Sequence, residues 1–94
     1  MILKKQWVVT YYSDLQENCE VENFLNRLKD SQRVKALAWI DKLREEGPDL
    51  PRPFADLLKD GIHELRIKIS DRQERILYFF VFEKFHFHLF LDKF

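Results

Sequence analysis

The stretch ERILYFFVF (residues 74–82) constrains the fold more than any other part of the chain. From Ile76 onward every position is apolar, so both sides of the segment are apolar. It is short and rich in aromatic and branched residues, which makes it a strand. A strand apolar on both faces is expected at the centre of a sheet, covered on both sides. The chain supplies the neighbours. HELRIKIS (63–70) alternates, with Leu65, Ile67 and Ile69 on one face and Glu64, Arg66 and Lys68 on the other. SDRQ is a polar turn between the two. After a tight turn at Glu83-Lys84, FHFHLFL (85–91) reads as the last strand, with Phe85, Phe87, Leu89 and Leu91 inward and His86 and His88 outward. QWVVTYY (6–12) reads as the first.

Between the first strand and residue 63 the apolar period is helical. Val21, Phe24, Leu25 and Leu28 predict a helix over 19–29. Asp30 or Ser31 can cap a second helix carrying Val34, Leu37, Ile40 and Leu43, ended by Gly47 and Pro48. PFADLLK (53–59), with Pro53 at its first position and Gly61 beyond it, predicts a short third helix. The expected order is β-α-α-(short helix)-β-β-β. That is an α+β domain: an antiparallel β-sheet packed against an N-terminal two-helix hairpin.

Ninety-four residues, 46% of them hydrophobic, make one folded domain. Sixteen basic residues balance sixteen acidic ones, so nucleic-acid binding would need a local patch. The single cysteine, Cys19, excludes an internal disulfide and a multi-cysteine zinc site and fits a reducing cytosol. The first residues lack the apolar core of a signal peptide, and ILYFFVF is too short to span a bilayer as a helix. The expectation is a soluble, cytoplasmic protein without membrane contact.

Few residues offer chemistry. The two glycines form no Gly-rich phosphate loop, and Ser13, Ser31 and Ser70 stand where turns and caps need serine. His86 and His88 share a strand face and could reach one ion, but zinc needs a third protein ligand. No spacing selects His63 or Asp92 for that part, so the pair reads as the polar face of a half-buried strand, with no metal. Arg66 and Lys68 share a face, Arg75 opens the next strand, and Arg72 lies in the turn between. Guanidinium and ammonium groups together suit a phosphate. Glu64, Asp71 and Glu74 lie in the same stretch and could equally pair with these cations. The register that would decide is not fixed by the sequence.

LPRPFADLLKDGIHELRIKISDRQERILYFF resembles the HigB-like, phage-derived branch of the RelE/ParE toxin superfamily of type II toxin–antitoxin systems. The residues that carry the likeness are Leu57-Leu58-Lys59-Asp60-Gly61-Ile62-His63-Glu64-Leu65-Arg66 and Arg75-Ile76-Leu77-Tyr78-Phe79. VENFLNRL and WVVTYY are similar to that family's first helix and first strand. The resemblance implies a metal-independent endoribonuclease, needing no cofactor, that cuts mRNA on the ribosome and inhibits translation. A basic group would take the ribose 2′-hydroxyl proton, arginines would stabilise the charge on the phosphate, and an acid would protonate the leaving 5′-oxygen. It also implies a partner, a HigA-like helix-turn-helix antitoxin.

Carried over, Arg66 and Arg75 fall on the motif arginines, and Lys68 follows from sharing a face with Arg66. HLFLDKF can be laid on the family's last motif with His88 on its histidine, Phe90 on its phenylalanine and Lys93 on its second lysine. A rival alignment puts Phe94 on the phenylalanine instead. The resemblance thus implies Arg66, Arg75, Lys68, His88 and Lys93 as catalytic residues, with Lys59 and Arg72 contacting RNA. Asp92 stands where that family usually has a lysine, and the chain is expected to lack the family's basic C-terminal tail. Two other functions are consistent with the resemblance: a catalytically weakened module that still binds its antitoxin, and a ParE-like gyrase inhibitor.

Overall fold

The computed structural model describes residues 7–83 and 86–93. The expected turn at Lys84, the inward Phe85, the alternative role of Phe94 and the side chain of His86 lie outside the described residues. Strand β1 (Val8–Tyr11) is followed by helices α1 (Glu20–Arg27) and α2 (Asp30–Glu46), and then by β2 (Ala55–Lys59), β3 (Ile62–Ile69), β4 (Arg72–Glu83) and β5 (His86–Lys93). The five strands form one sheet in the order β1-β5-β4-β3-β2.

Three expectations about the elements and their pairing are overturned. The sheet is mixed, because β1 runs parallel to β5 while the other pairs are antiparallel. No tight turn joins β1 to β5, so nothing local imposes the antiparallel direction. The helices do not form an N-terminal hairpin on the sheet. They follow β1, with α1 against β5 and α2 against β3. The short third helix is absent. Arg52–Phe54 form a turn, and Ala55, Asp56 and Leu57 pair with Leu65, Glu64 and His63. The free edge of β3 offers these residues a ladder, which outweighs the modest helix propensity of A-D-L-L-K.

The core lies between the helices and one face of the sheet. Val21, Phe24 and Leu25 of α1 and Ala36, Ile40 and Leu43 of α2 meet Leu65, Ile67 and Ile69 of β3, Ile76 and Tyr78 of β4, and Leu89 and Leu91 of β5. On α2 the buried stripe is Ala36, Ile40 and Leu43, while Val34 and Leu37 are exposed. Arg33 ties the helices together. Its guanidinium donates to the carbonyls of Leu25 and Leu28 at 2.9 and 2.8 Å at the end of α1, where Leu25 also accepts the Leu28 N–H at 3.3 Å. Gly47 ends α2 with φ +55°, where a side chain would be strained and would collide with the indole of Trp7.

Strand β4 is central, as ERILYFFVF suggested, but only one of its faces is covered. Phe79, on the other face, is 41% exposed. That uncovered face carries Glu64, Arg66, Lys68, Arg75, Leu77, Phe79, His88, Phe90 and Asp92, and it is where the candidate site lies.

Candidate nucleic-acid interface

The β3–β4 hairpin turns through Ser70 and Asp71, with Ser70 at φ +57°. This tight connection fixes the register: Ile69 faces Arg72, Lys68 faces Gln73, and Arg66 faces Arg75. Arg66, Lys68 and Arg75 therefore share the open face. Arg66 and Arg75 form one cross-strand row, with Lys68 in the next, about 7 Å away at two residues along the strand.

Carboxylates interleave with these cations. Glu64 is buried, and its Oε1 accepts from Arg66 Nε at 2.8 Å and lies 3.6 Å from Arg75 Nε. Asp56, brought opposite Glu64 by β2, accepts from Arg66 Nη2 at 3.3 Å and from both Nε and Nη2 of Arg52 at 3.0 Å. The run Arg52–Asp56–Arg66–Glu64–Arg75 holds three positive and two negative charges. The Glu64 hydrogen bond, with help from Asp56, raises the pKa of Arg66 and fixes its charge. The Arg52 hydrogen bond, followed by the charges of Arg52 and Arg66, holds Asp56 below the usual carboxylate range. Of the two opposed arginines Arg75 is the more open, with 63% of its side chain exposed against 27% for Arg66.

The other residues carried over from the resemblance do not join this group. His88 is on the open face, stacked against Phe90 at 6.0 Å, but it faces Val81. Arg75 and Val81 are six residues apart, which places His88 about 20 Å along the sheet from the arginine row. Lys93 pairs with Ile76 on the helix-covered face, where its Nζ is 3.2 Å from Glu74 and 5.1 Å from the centre of the Phe24 ring. Arg72 is on that same covered side of the sheet and also reaches Glu74, at 3.7 Å. Lys59 sits at the far end of the β2–β3 hairpin, opposite Ile62.

Residues 23–91 match the family described as Phage derived protein Gp49-like (DUF891). The chain belongs to this family. The Gp49-like family is RelE-like and is associated with the toxins of toxin–antitoxin systems, which fits a toxin with an antitoxin partner. The matched region runs from α1 into β5 and contains Arg66, Lys68 and Arg75 but not Lys93. No curated protein and no solved structure matches the chain significantly. Among the described residues no helix of this Gp49-like protein is long and apolar enough to cross a membrane.

Reading the sequence missed Arg52 and Asp56 as parts of this group. Asp56 lay inside PFADLLK, and a helix there would not have laid it beside Glu64. Glu64 was visible as a possible partner of the cations, but not as the buried carboxylate shared by both arginines.

Proposed function

We propose that this Gp49-like protein is the toxin of a type II toxin–antitoxin pair, of the HigB-like kind, and cleaves mRNA on the ribosome without a metal. The observation that supports this most is the direct opposition of Arg66 and Arg75 on an uncovered sheet face. Two guanidiniums in one row can grip the non-bridging oxygens of one phosphodiester and stabilise the charge that builds there. In the reaction the ribose 2′-oxygen bonds to phosphorus and the bond to the 5′-oxygen breaks. The products are a 2′,3′-cyclic phosphate and a 5′-hydroxyl. Lys68, one row away, adds positive charge beside that phosphate. The 2′-hydroxyl proton passes to solvent, the leaving 5′-oxygen takes a proton from solvent, and Glu64 is a positioning residue for both arginines. Its partner would be a helix-turn-helix antitoxin in the cytoplasm. The test is translation-dependent mRNA cleavage on expression, lost in Arg66→Ala and Arg75→Ala variants that still fold. Intact mRNA in cells full of soluble wild-type protein would sink the proposal.

A second reading, a module that binds antitoxin without cutting RNA, has one observation in its favour. Arg66 is engaged by both Glu64 and Asp56, so a phosphate must compete with two carboxylates for it. Tight antitoxin binding without growth arrest would select this reading.

A further inference from the structure

Strand β2 covers the edge of β3 only as far as Leu65, after which the Phe54 carbonyl accepts the Arg66 N–H at 2.8 Å. Beyond that point α2 flanks the β3 edge with Lys35 and Trp39, one helical turn apart. The result is a cleft of about 240 Å³ whose lining includes Lys35, Trp39, Phe54, Arg66, Lys68 and Gln73. Trp39 and Phe54 lie with ring centres 4.8 Å apart and planes tilted by 32°, and Phe54 is 40% exposed. Among the described residues no carboxylate lines the cleft. Lys35 and Lys68 are exposed, and neither forms an ion pair among the described residues.

We infer that this cleft holds the nucleotide next to the one cleaved, with its base against the Trp39–Phe54 pair and its phosphate between Lys35 and Lys68. The inference rests on the RNA-cleaving reading above and extends it to a second subsite. Arg66 belongs to both the arginine row and the cleft wall, so a single strand leaving the row along β3 enters the cleft directly. An aromatic surface rimmed by cations suits unpaired nucleic acid, because any base can stack while the cations follow the backbone. Another hollow on the open face, about 280 Å³, differs in kind. Its lining includes Tyr12, Leu77, Phe79, Phe90 and Asp92, and among the described residues it has no cation and presents a carboxylate. Its charge is wrong for a phosphate chain.

The test uses a single-stranded oligoribonucleotide methylated at every 2′-oxygen, which cannot be cut, with binding followed by fluorescence anisotropy across a salt series. The double variant Lys35→Ala/Lys68→Ala, whose side chains are both exposed, should bind about tenfold more weakly at low salt. Its log–log salt slope should be shallower by about 0.7, the value for one lost phosphate contact on a single strand. Trp39→Ala should weaken binding by about tenfold with an unchanged slope, as loss of base stacking alone would. If the lysine variant keeps wild-type affinity and slope while Arg75→Ala weakens binding, the cleft is not an RNA subsite and the arginine row still stands. If the wild type does not bind the oligonucleotide, the subsite falls, while the RNA-cleaving reading falls only if translated mRNA also stays intact in cells making the soluble wild-type protein.

Discussion

Arg66 and Arg75 stand directly opposite each other on β3 and β4, and the buried carboxylate of Glu64 lies against both. Like charges facing each other across a ladder destabilise a sheet. Glu64 offsets that repulsion and also sets the direction of the Arg66 side chain. Glu64→Gln should therefore lower the urea midpoint of unfolding. It should also tighten low-salt binding of single-stranded RNA, since it adds one net positive charge, while slowing cleavage because Arg66 is less well aimed. Weaker RNA binding in this variant would show that Glu64 itself touches the substrate.

The two arginines should matter to the chemistry far more than to stability. Removing one preorganised donor to a developing oxyanion typically costs about 100-fold in rate. Arg66→Ala and Arg75→Ala should each lose about that much mRNA cleavage, measured by primer extension on translated message. Arg75→Ala should leave thermal unfolding almost unchanged, because that side chain is largely exposed and its contact to Glu64 is long.

Lys93 should behave in the opposite way. Its side chain is 9% exposed, with the ammonium beside Glu74 and over the Phe24 ring. Lys93→Met keeps the length of the side chain but leaves the Glu74 carboxylate with the longer Arg72 contact, and it should cost about 1–3 kcal/mol of stability. Cleavage per folded molecule should be unaffected. A variant that is fully stable but inactive would return Lys93 to the reaction.

Acid and alkali should each have an identifiable contribution. The carboxyl of Asp56 is held below its ordinary value of 3.8, chiefly by the Arg52 hydrogen bond. Its contribution is complete above pH 3.8 and is lost as the pH falls through the lower folded value, so Asp56→Asn should flatten the stability curve below about pH 4. Tyr78, stacked on His63 at 5.0 Å, is pushed up from 10.0 to about 12, by burial first and by the Asp56 charge second. Its contribution is complete below pH 10 and is lost as the pH rises toward 12. Tyr78→Phe should remove that part of the alkaline transition in urea melts taken from pH 9 to 12.

Much of this was legible in the sequence, for physical reasons that differ by element. The inward Leu65, Ile67 and Ile69 and the outward Arg66 and Lys68 follow from a period of two, which any half-buried strand must obey. The register that sets Arg66 against Arg75 did not follow, because it depends on how tightly the chain turns at Ser70 and Asp71. The β2 pairing of Asp56 with Glu64 was hidden because A-D-L-L-K has no strand pattern of its own and takes its form from the edge of β3. The parallel contact of β1 with β5 joins opposite ends of the chain, so no local signal encodes it. The cleft around Trp39 depends on how α2 lies across β3, which periodicity cannot specify.

The uncovered face of β4 gives the sharpest contrast with the sequence alone. A strand apolar on both sides suggests equal burial of its two faces, and truncations on either face would then cost alike. In the structure Ile76 is fully buried under the helices, while Phe79 is 41% exposed and stacks on Phe90 at 5.0 Å. Ile76→Ala should cost about 2–5 kcal/mol, the range for emptying a packed aliphatic site. Phe79→Ser should cost only about 1 kcal/mol or less, the value of a cross-strand aromatic pair. Urea unfolding of the two variants measures the difference directly. Equal losses would mean that something covers the open face in solution, and the arginine row beside it would then be closed to RNA until that cover leaves.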